Sequence, residues 1–273
     1  MMQLAVSHLT RYSYAEPIRQ IIQSIHLTPS EHEGQRVLGW NIEATGATFG
    51  TAVKNGSGDW VQTLCIRSEC TNFEIKVNGT VETIDTNGVL KGHRERINPI
   101  AYLQHTAATQ ADKNIEQLAQ QAGKGVSEDD GLERAHRLSN LVTDALKYEQ
   151  QSTNVMTTAA ESLKSGRGVC QDYAHILIAA ASVLNLPARY VSGYLLASVD
   201  LSPEEASHAW AELFIHGLGW VGFDPSGRCC PDARYIRLAS GRDAHEAAPI
   251  RGVTRGIGEE ALDVTVAVTS MQQ

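Results

Sequence analysis

The sequence lacks any long apolar stretch. Among its 273 residues, the longest clearly apolar run covers positions 176–184, far short of the ~20 residues that cross a bilayer. The first residues, MMQLAVSHLTRYSYAEP, also lack the basic segment and the continuous apolar segment of a secretory signal. We therefore expect no membrane partner and a cytoplasmic protein.

The chain has little positive charge and little proline. It carries 23 Lys and Arg against 31 Asp and Glu, so its formal net charge is −8, and no segment forms a long block of one sign. Surfaces that bind nucleic acid or anionic lipid are normally basic, so we expect neither partner. With 42% hydrophobic residues, 20% charged residues and 8 prolines, the composition is typical of a globular protein.

Motifs for metal ions and nucleotides are also missing. There is no His-Glu-x-x-His, no Cys-x-x-Cys, no Walker A segment and no dinucleotide-binding glycine fingerprint, so we expect no metal and no cofactor. The number of cysteines is odd and no export signal precedes them, which favours reduced thiols and leaves at least one free for chemistry. They are Cys65, Cys70, Cys170, Cys229 and Cys230.

The first part of the chain shows the pattern of antiparallel β-structure. Short alternating runs are separated by turn residues, including the Asn-Gly pairs at 78–79 and 87–88. We place a boundary in the segment GHRERINP, which begins at residue 92, and predict a β-rich N-terminal domain over residues 1–97 and a second domain over 98–273. The strands predicted in the first domain cover residues 4–14, 21–27, 36–43, 60–67 and 73–83.

After residue 100 the apolar period becomes helical. Amphipathic helices are predicted over 115–122 and 132–146, and a third over 170–185 is apolar almost all round, which is typical of a helix buried on every side. Strands are predicted over 189–196, 208–215 and 220–223, while a late alternating run at 262–268 could join either sheet. The whole pattern predicts an α+β fold.

Cys170 stands in the segment Gly-Arg-Gly-Val-Cys-Gln-Asp-Tyr-Ala, directly before the apolar helix. A cysteine at a helix N-terminus meets unpaired N–H groups and the positive end of the macrodipole, which favour the nucleophilic thiolate. Gly166 and Gly168 are expected to leave N–H groups near the sulfur uncovered, where they could stabilise an oxyanion. On spacing alone, Cys170 is equally well explained as a small apolar residue at a helix start.

A nucleophilic cysteine needs a base, and His208 is the best candidate among the 10 histidines. It opens the predicted strand Ser-His-Ala-Trp-Ala-Glu. His175 lies roughly 140° around the helix from Cys170 and points elsewhere. His216 falls at a turn, ~26 Å along the strand from His208. The other histidines lie in segments without a cysteine or carboxylate arrangement.

Asp224 is the candidate for the carboxylate that orients His208. If a two-residue turn joined the two strands, Asp224 would face away from His208, whereas a turn of three or five residues would put both on one face. The catalytic interpretation therefore requires an odd turn or a bulge, which Gly217 and Gly219 favour. Asp172, near the helix start, is interpreted as structural.

Four separate segments of the second half resemble the bacterial transglutaminase-like superfamily, of the kind proposed to be cysteine proteases. They begin at Thr158, with Gly-Val-Cys-Gln-Asp-Tyr-Ala following, and continue as Leu-Pro-Ala-Arg-Tyr-Val-Ser-Gly-Tyr, Ser-His-Ala-Trp-Ala-Glu and Gly-Trp-x-x-Phe-Asp-Pro. The resemblance implies a papain-like core, with a central buried helix packed on an antiparallel sheet. It also implies a catalytic triad of Cys170, His208 and Asp224.

The N-terminal region shares this resemblance. Residues 6–17 and 27–29 look like the β-rich domain that precedes the core in this superfamily. One departure is the segment Lys-Asn-Gly-Ser-Gly-Asp-Trp at 54–60, where relatives tend to carry an Asp-x-x-Gly-Asn turn. The departure weakens the detailed alignment of this loop and leaves the core motifs untouched.

The expected activity is thiol-dependent hydrolysis of an amide in a peptide, protein or other substrate, through a thioester acyl-enzyme. A transglutaminase, in which an amine accepts the acyl group, needs the same three residues and remains an alternative. A non-catalytic peptide-binding module on the same fold is a further one. A thiol redox protein is disfavoured because Cys170 has no resolving cysteine in sequence reach. The oligomeric state does not follow from these patterns.

Overall fold

The structure, a computed structural model, describes residues 1–196 and 206–271. It has the α+β fold that the sequence pattern indicates, with antiparallel sheets and few helices. The strands are β1 Met2–Ile18, β2 Gln20–Ile25, β3 Gln35–Ala44, β4 Thr48–Phe49, β5 Val53–Lys54, β6 Trp60–Ile66, β7 Cys70–Thr83, β8 Lys147–Tyr148, β9 Arg167–Gly168, β10 Ala188–Leu195, β11 Ser207–Ile215, β12 Gly219–Phe223, β13 Tyr235–Gly241, β14 Ile250–Arg255 and β15 Glu260–Ser270. The helices are α1 Lys113–Gly123, α2 Gly131–Ala145, α3 Ala159–Ser165 and α4 Cys170–Val183, with a short 3₁₀ helix at Pro99–Leu103.

Two antiparallel sheets form the N-terminal region, which we call the front sheets. Their strand orders are β15-β1-β7-β3 and β14-β2-β6-β4, with β5 paired to β6. Strand β1 shows the alternation that the sequence predicts, because every second residue from Leu4 to Tyr14 is buried. The two sheets share an apolar core in which Tyr12 and Phe73 of the first meet Ile21 and Leu64 of the second.

The end of the chain closes both front sheets. Strand β14 pairs with β2, and β15 pairs with β1 along eleven residue pairs, from Leu4–Ser270 to Tyr14–Glu260. The alternating run at 262–268 thus joins the front sheets. The division of the chain at residue 97 stays a prediction, although the two last strands, which we grouped with the second domain, pair with strands of the first.

The core consists of α4 packed on a four-stranded sheet with the order β12-β11-β10-β13. Helices α1, α2 and α3 all contact α4. Every residue of α4 from Asp172 to Ala181 is buried, which confirms the prediction of a helix enclosed on all sides. Within residues 1–196 and 206–271, no helix is long and apolar enough to cross a membrane.

The front sheets and the core sheet meet at a buried set of charged residues, which we call the ion cluster. Its centre is Glu212 on β11, whose carboxylate accepts from Arg189 Nε at 2.7 Å and from Arg237 Nε at 2.9 Å. Arg237 also donates to Asp59, which precedes β6, and Arg189 donates to Glu95. Residues from three segments that are distant in sequence therefore meet in one network.

The ion cluster is removed from solvent, and among the described residues all but one of its buried polar atoms, Arg189 Nη2, have a hydrogen-bond partner. The side chains of Arg189, Glu212, Arg237 and Asp59 are each at most 4% exposed. The second carboxylate oxygen of Asp59 accepts from both the backbone N–H and the hydroxyl of Ser240, each at 2.8 Å. Burial alone would raise the pKa of Glu212, but the two guanidinium groups outweigh it and lower the pKa to about 2.

Replacing the central carboxylate should destabilise the fold strongly. In Glu212→Gln, two buried guanidinium groups lose their shared countercharge, and breaking such a pair costs about 3–5 kcal/mol of unfolding free energy. Urea unfolding followed by circular dichroism measures this cost. The control is Glu74→Gln, which removes an exposed partner of Arg11 and should change the unfolding free energy little, because solvent screens exposed ion pairs. Equal losses in the two variants would contradict the role of the ion cluster.

The contribution of Glu212 should also disappear in acid. Its pKa is about 2 in the folded protein and near the ordinary value of 4.5 in the unfolded chain. The stabilisation is therefore complete above pH ~4.5 and is lost as the pH falls through about 2; the pKa difference corresponds to about 3 kcal/mol. Unfolding of the wild type and of Glu212→Gln, measured from pH 6 to 2.5, should give converging free energies. A constant difference would refute the assignment.

Candidate active site

Cys170 is the first residue of α4, and its thiol is half-buried and free. The two-residue strand β9 lies directly before Cys170 and pairs in parallel with β8. This pairing fixes the path of the chain into the helix. The N–H groups of a first helical turn have no acceptor within the helix. Cys170 therefore lies where the helix presents its partial positive charge, as the sequence predicts.

The two glycines before Cys170 have local structural reasons. Gly166 ends α3 in the left-handed region with φ 68°, and its N–H donates to the carbonyl of Ser162 at 3.0 Å. At Gly168, a Cβ would lie 2.7 Å from the side chain of Asp172. The N–H of Gly166 is thus used within α3, while the expectation of uncovered N–H groups near the sulfur stays a prediction.

Asp172 stabilises the start of the helix. Its Oδ2 accepts from the backbone N–H of Val169 at 2.8 Å and from the hydroxyl of Thr153 at 2.6 Å. Burial raises the pKa of this carboxyl, although the two hydrogen bonds oppose the rise. These are the contacts of a helix cap that also anchors the loop before α3, which is consistent with a structural role.

His208 and Asp224 meet at the edge of the core sheet, with His208 Nε2 2.7 Å from Asp224 Oδ2. Strands β11 and β12 are joined by a three-residue turn, 216–218, with Ile215 opposite Gly219. Both Gly217 and Gly219 adopt positive φ, at 83° and 84°, which this turn requires. The odd turn on which the Asp224 assignment depends is therefore present.

The Cys170 thiol is a second hydrogen-bond partner of the His208 imidazole. Burial alone would lower the pKa of His208, but the hydrogen bonds to Asp224 and Cys170 and their charges raise it to about 10. The imidazolium is thus the stable form of His208 at neutral pH.

Asp224 accepts hydrogen bonds on both carboxylate oxygens. Oδ1 receives the Ser226 hydroxyl at 2.6 Å and the Gly227 N–H at 3.0 Å. Oδ2 receives the Tyr235 hydroxyl at 2.8 Å in addition to His208. Burial opposes ionisation, yet His208, Ser226 and Gly227 together lower the pKa of Asp224, so it is a carboxylate near neutral pH.

Sequence reasoning missed Tyr235, the first residue of β13. No motif marks it, and its place beside Asp224 follows only from the pairing of β13 with β10. Its ring packs edge-on against His208 and Trp210, with ring centroids 5.8 and 5.5 Å apart. Trp210 and Tyr235 are 3% and 6% exposed, so the His208 ring rests against a buried aromatic wall.

The other histidines named from the sequence lie elsewhere. His175 accepts a hydrogen bond from the backbone N–H of Ala244 at 3.0 Å and packs against Tyr190. Burial lowers the pKa of His175 to about 4, so it is neutral. His216 is exposed in the turn after β11. Neither is placed to activate Cys170, in agreement with the sequence analysis.

The remaining thiols lie outside this arrangement. Cys229 and Cys230 are free, and burial raises the pKa of both thiols, that of Cys230 to about 11. Cys65 and Cys70 lie on front strands β6 and β7. Over residues 1–196 and 206–271, no three His, Cys, Asp or Glu side chains are grouped so as to hold a metal ion.

Comparison with protein families finds two matches along this chain. Residues 4–82 match the bacterial transglutaminase-like N-terminal region, and residues 116–225 match the transglutaminase-like superfamily. The second match contains Cys170, His208 and Asp224. Together the two matches cover most of the chain.

Individual relatives are consistent with the two family matches. An uncharacterized protein of Mycobacterium leprae is 27% identical over 289 residues, covering 99% of this chain and 100% of that protein. An uncharacterized protein of Mycobacterium bovis is 34% identical over 144 residues, which are 49% of this chain and 46% of that protein.

Among solved structures, a proposed cysteine protease from Cytophaga hutchinsonii aligns with a TM-score of 0.76 at 22% identity, covering 100% of this chain and 91% of that one. At this level of identity the likeness shows a shared fold. The fold, the two family matches and the full-length relative agree with one another. The chain belongs to the transglutaminase-like superfamily and carries the bacterial N-terminal region of that family.

Proposed function

We propose that this protein is a thiol-dependent amide hydrolase, a peptidase or amidase, in which Cys170, His208 and Asp224 act as a catalytic triad. The observation that carries the proposal is that the His208 imidazole is hydrogen-bonded both to the Cys170 thiol and to the Asp224 carboxylate. The candidate base thus contacts both the nucleophile and the group that orients it.

In the proposed first step, the Cys170 thiolate attacks the carbonyl carbon of the substrate amide. The carbonyl oxygen becomes an oxyanion, which the N–H groups at the start of α4 can stabilise. The His208 imidazolium donates its proton to the amide nitrogen, the C–N bond breaks and the amine leaves. Asp224 keeps the ring oriented and stabilises its positive charge.

In the second step, a nucleophile attacks the thioester carbonyl. When the nucleophile is water, His208 takes one of its protons, the C–S bond breaks and a carboxylic acid leaves; Cys170 and His208 return to their starting ionisation. When the nucleophile is a primary amine, the same steps form a new amide, which is transglutaminase chemistry. We favour water because it is the nucleophile present at the highest concentration around a site at the edge of a sheet.

Alkylation with iodoacetamide tests the nucleophile without any knowledge of the substrate. Cys170 should react fastest of the five thiols, because burial raises the pKa of Cys70, Cys229 and Cys230 and holds them as thiols. Peptide mapping by mass spectrometry measures the order. His208→Asn should slow labelling of Cys170 roughly tenfold or more.

The matched control for this variant is His216→Asn, which changes an exposed histidine in the turn after β11 and should leave the rate unchanged. Faster labelling of Cys65 or Cys229 than of Cys170 would count against the triad. Equal rates in the two histidine variants would show that His208 does not activate the thiol.

The reaction type is tested by incubating the protein with a peptide library, with and without a primary amine, and weighing the products by mass spectrometry. A hydrolase converts an amide to a carboxylic acid or cuts the peptide, and Cys170→Ala abolishes the change. Peptides that carry the added amine would instead identify the protein as a transferase. Unchanged peptides that bind equally well to the wild type and to Cys170→Ala would indicate a binding module instead.

A further inference from the structure

We propose that Tyr235 is a positioning residue for the triad, whose hydroxyl limits the basicity of Asp224 and thereby sets the proton affinity of His208. This inference rests on the proposed function, since it assigns Tyr235 a part in the chemistry of the same site. Tyr235 does not face the thiol directly; it acts on His208 through the carboxylate that both residues share.

The geometry at Asp224 Oδ2 carries the argument. One oxygen accepts from two donors, His208 Nε2 at 2.7 Å and the Tyr235 hydroxyl at 2.8 Å, while Oδ1 is occupied by Ser226 and Gly227. Asp224 is fully buried, so solvent does not take part. A carboxylate has about four acceptor positions, and here protein donors fill all of them.

The direction of the second hydrogen bond is fixed by the ionisation states. Burial and the neighbouring Asp224 charge raise the pKa of Tyr235 far above its ordinary range, so the phenol keeps its proton. Because Asp224 is ionised, that proton is donated to Oδ2. The Cys229 sulfur lies 3.3 Å from the same hydroxyl, and with that proton committed to Oδ2 we assign the thiol as the donor to the phenol oxygen.

The result is a chain of hydrogen bonds from Cys229 through Tyr235 and Asp224 to His208. The titratable groups around the His208 ring are Cys170 at the start of α4, Asp224 after β12 and Tyr235 on β13, with Cys229 behind Tyr235. Beyond Cys229, the charges of Asp232 and Arg234 pair with each other. Because these two charges neutralise each other, the hydroxyl of Tyr235 is the neighbouring group that we expect to affect the basicity of Asp224.

This second donor has a chemical purpose. If Asp224 Oδ2 accepted only from His208, the carboxylate would be more basic and would hold the imidazolium more strongly. An acid that must protonate a leaving amine works best when its pKa is not too far above the working pH. The pKa of His208 is already about 10, so a donor that competes for Oδ2 favours release of the proton.

The test is Tyr235→Phe, which removes one oxygen and keeps the ring. The pKa of His208, read from the ¹⁵N resonances of its ring with His208→Asn used for assignment, should rise by about 0.5 or more. The pH at which Cys170 alkylation loses its assistance from His208 should rise with it. A purely structural role for the hydroxyl would lower the melting temperature and move neither value.

Tyr14→Phe is the matched control. The Tyr14 hydroxyl also donates to a carboxylate, that of Glu260 at 2.9 Å, from a buried ring in the front sheets. It should lower stability by a similar amount and leave the pKa of His208 unchanged. A second variant, Cys229→Ala, leaves Tyr235 in place but removes the donor to its oxygen, so it should raise the pKa of His208 by a smaller amount.

These outcomes separate the two proposals. An unchanged pKa of His208 in Tyr235→Phe overturns the role of Tyr235, and if that variant does not fold, an unchanged pKa in Cys229→Ala does so. If Cys170 of the wild type is alkylated no faster than Cys65, the proposed function fails, and the ring resonances of His208 still decide whether Tyr235 acts on Asp224.

Discussion

Arg237 of the core sheet pairs both with Glu212 of the same sheet and with Asp59 of the N-terminal region, and this pairing holds the core sheet and the front sheets in one arrangement. Buried charges are stable only when every partner is present, because each one loses its hydration. Asp59 and Glu95 supply two of the four countercharge contacts, and both come from the first 95 residues. Without the front sheets, two guanidinium groups would be buried with too little negative charge. The front sheets are therefore part of the folding unit that contains the candidate site.

The ion cluster and the site share their strands. Strand β11 carries His208 and Glu212 four residues apart on one face, and β13 carries Tyr235 and Arg237 two residues apart. A movement of Glu212 or Arg237 would therefore be transmitted along a strand to the His208 ring or to the hydroxyl beside Asp224. The arrangement of the site gains its rigidity from charges two and four residues away along the strands, which take no part in the chemistry.

Much of this could be predicted from the sequence, and the reasons are local. The period-2 alternation of β1 and the continuous apolar surface of α4 depend only on residues within each element, so both elements could be predicted from the sequence. The candidate triad followed from a cysteine at a helix start, a histidine at a strand start and an aspartate after a glycine turn, together with the resemblance of these segments to the transglutaminase-like superfamily. The need for an odd turn was derivable from parity alone.

What could not be predicted depends on contacts between distant segments. Asp59 lies in the loop that departs from the family's turn pattern, and nothing in that loop reveals its bond to a guanidinium 178 residues later. The contact of Tyr235 with Asp224 could not be predicted either, since it depends on the register of β13. Gly166 has a role that the sequence did not indicate: it ends α3 in the left-handed region and uses its N–H within that helix.

The odd number of residues in the turn after β11 decides which side chains meet at the candidate site. The even-numbered residues of β11 from His208 to Glu212 face the front sheets, while Ala209, Ala211 and Leu213 face α4. Because the turn after β11 has three residues, Asp224 falls on the same face as His208; one residue more or fewer would send it toward α4. Cys170 comes from the helix on the opposite face and meets His208 where β11 begins. The candidate site therefore lies at that end of the strand, where groups from both faces of the sheet reach the ring.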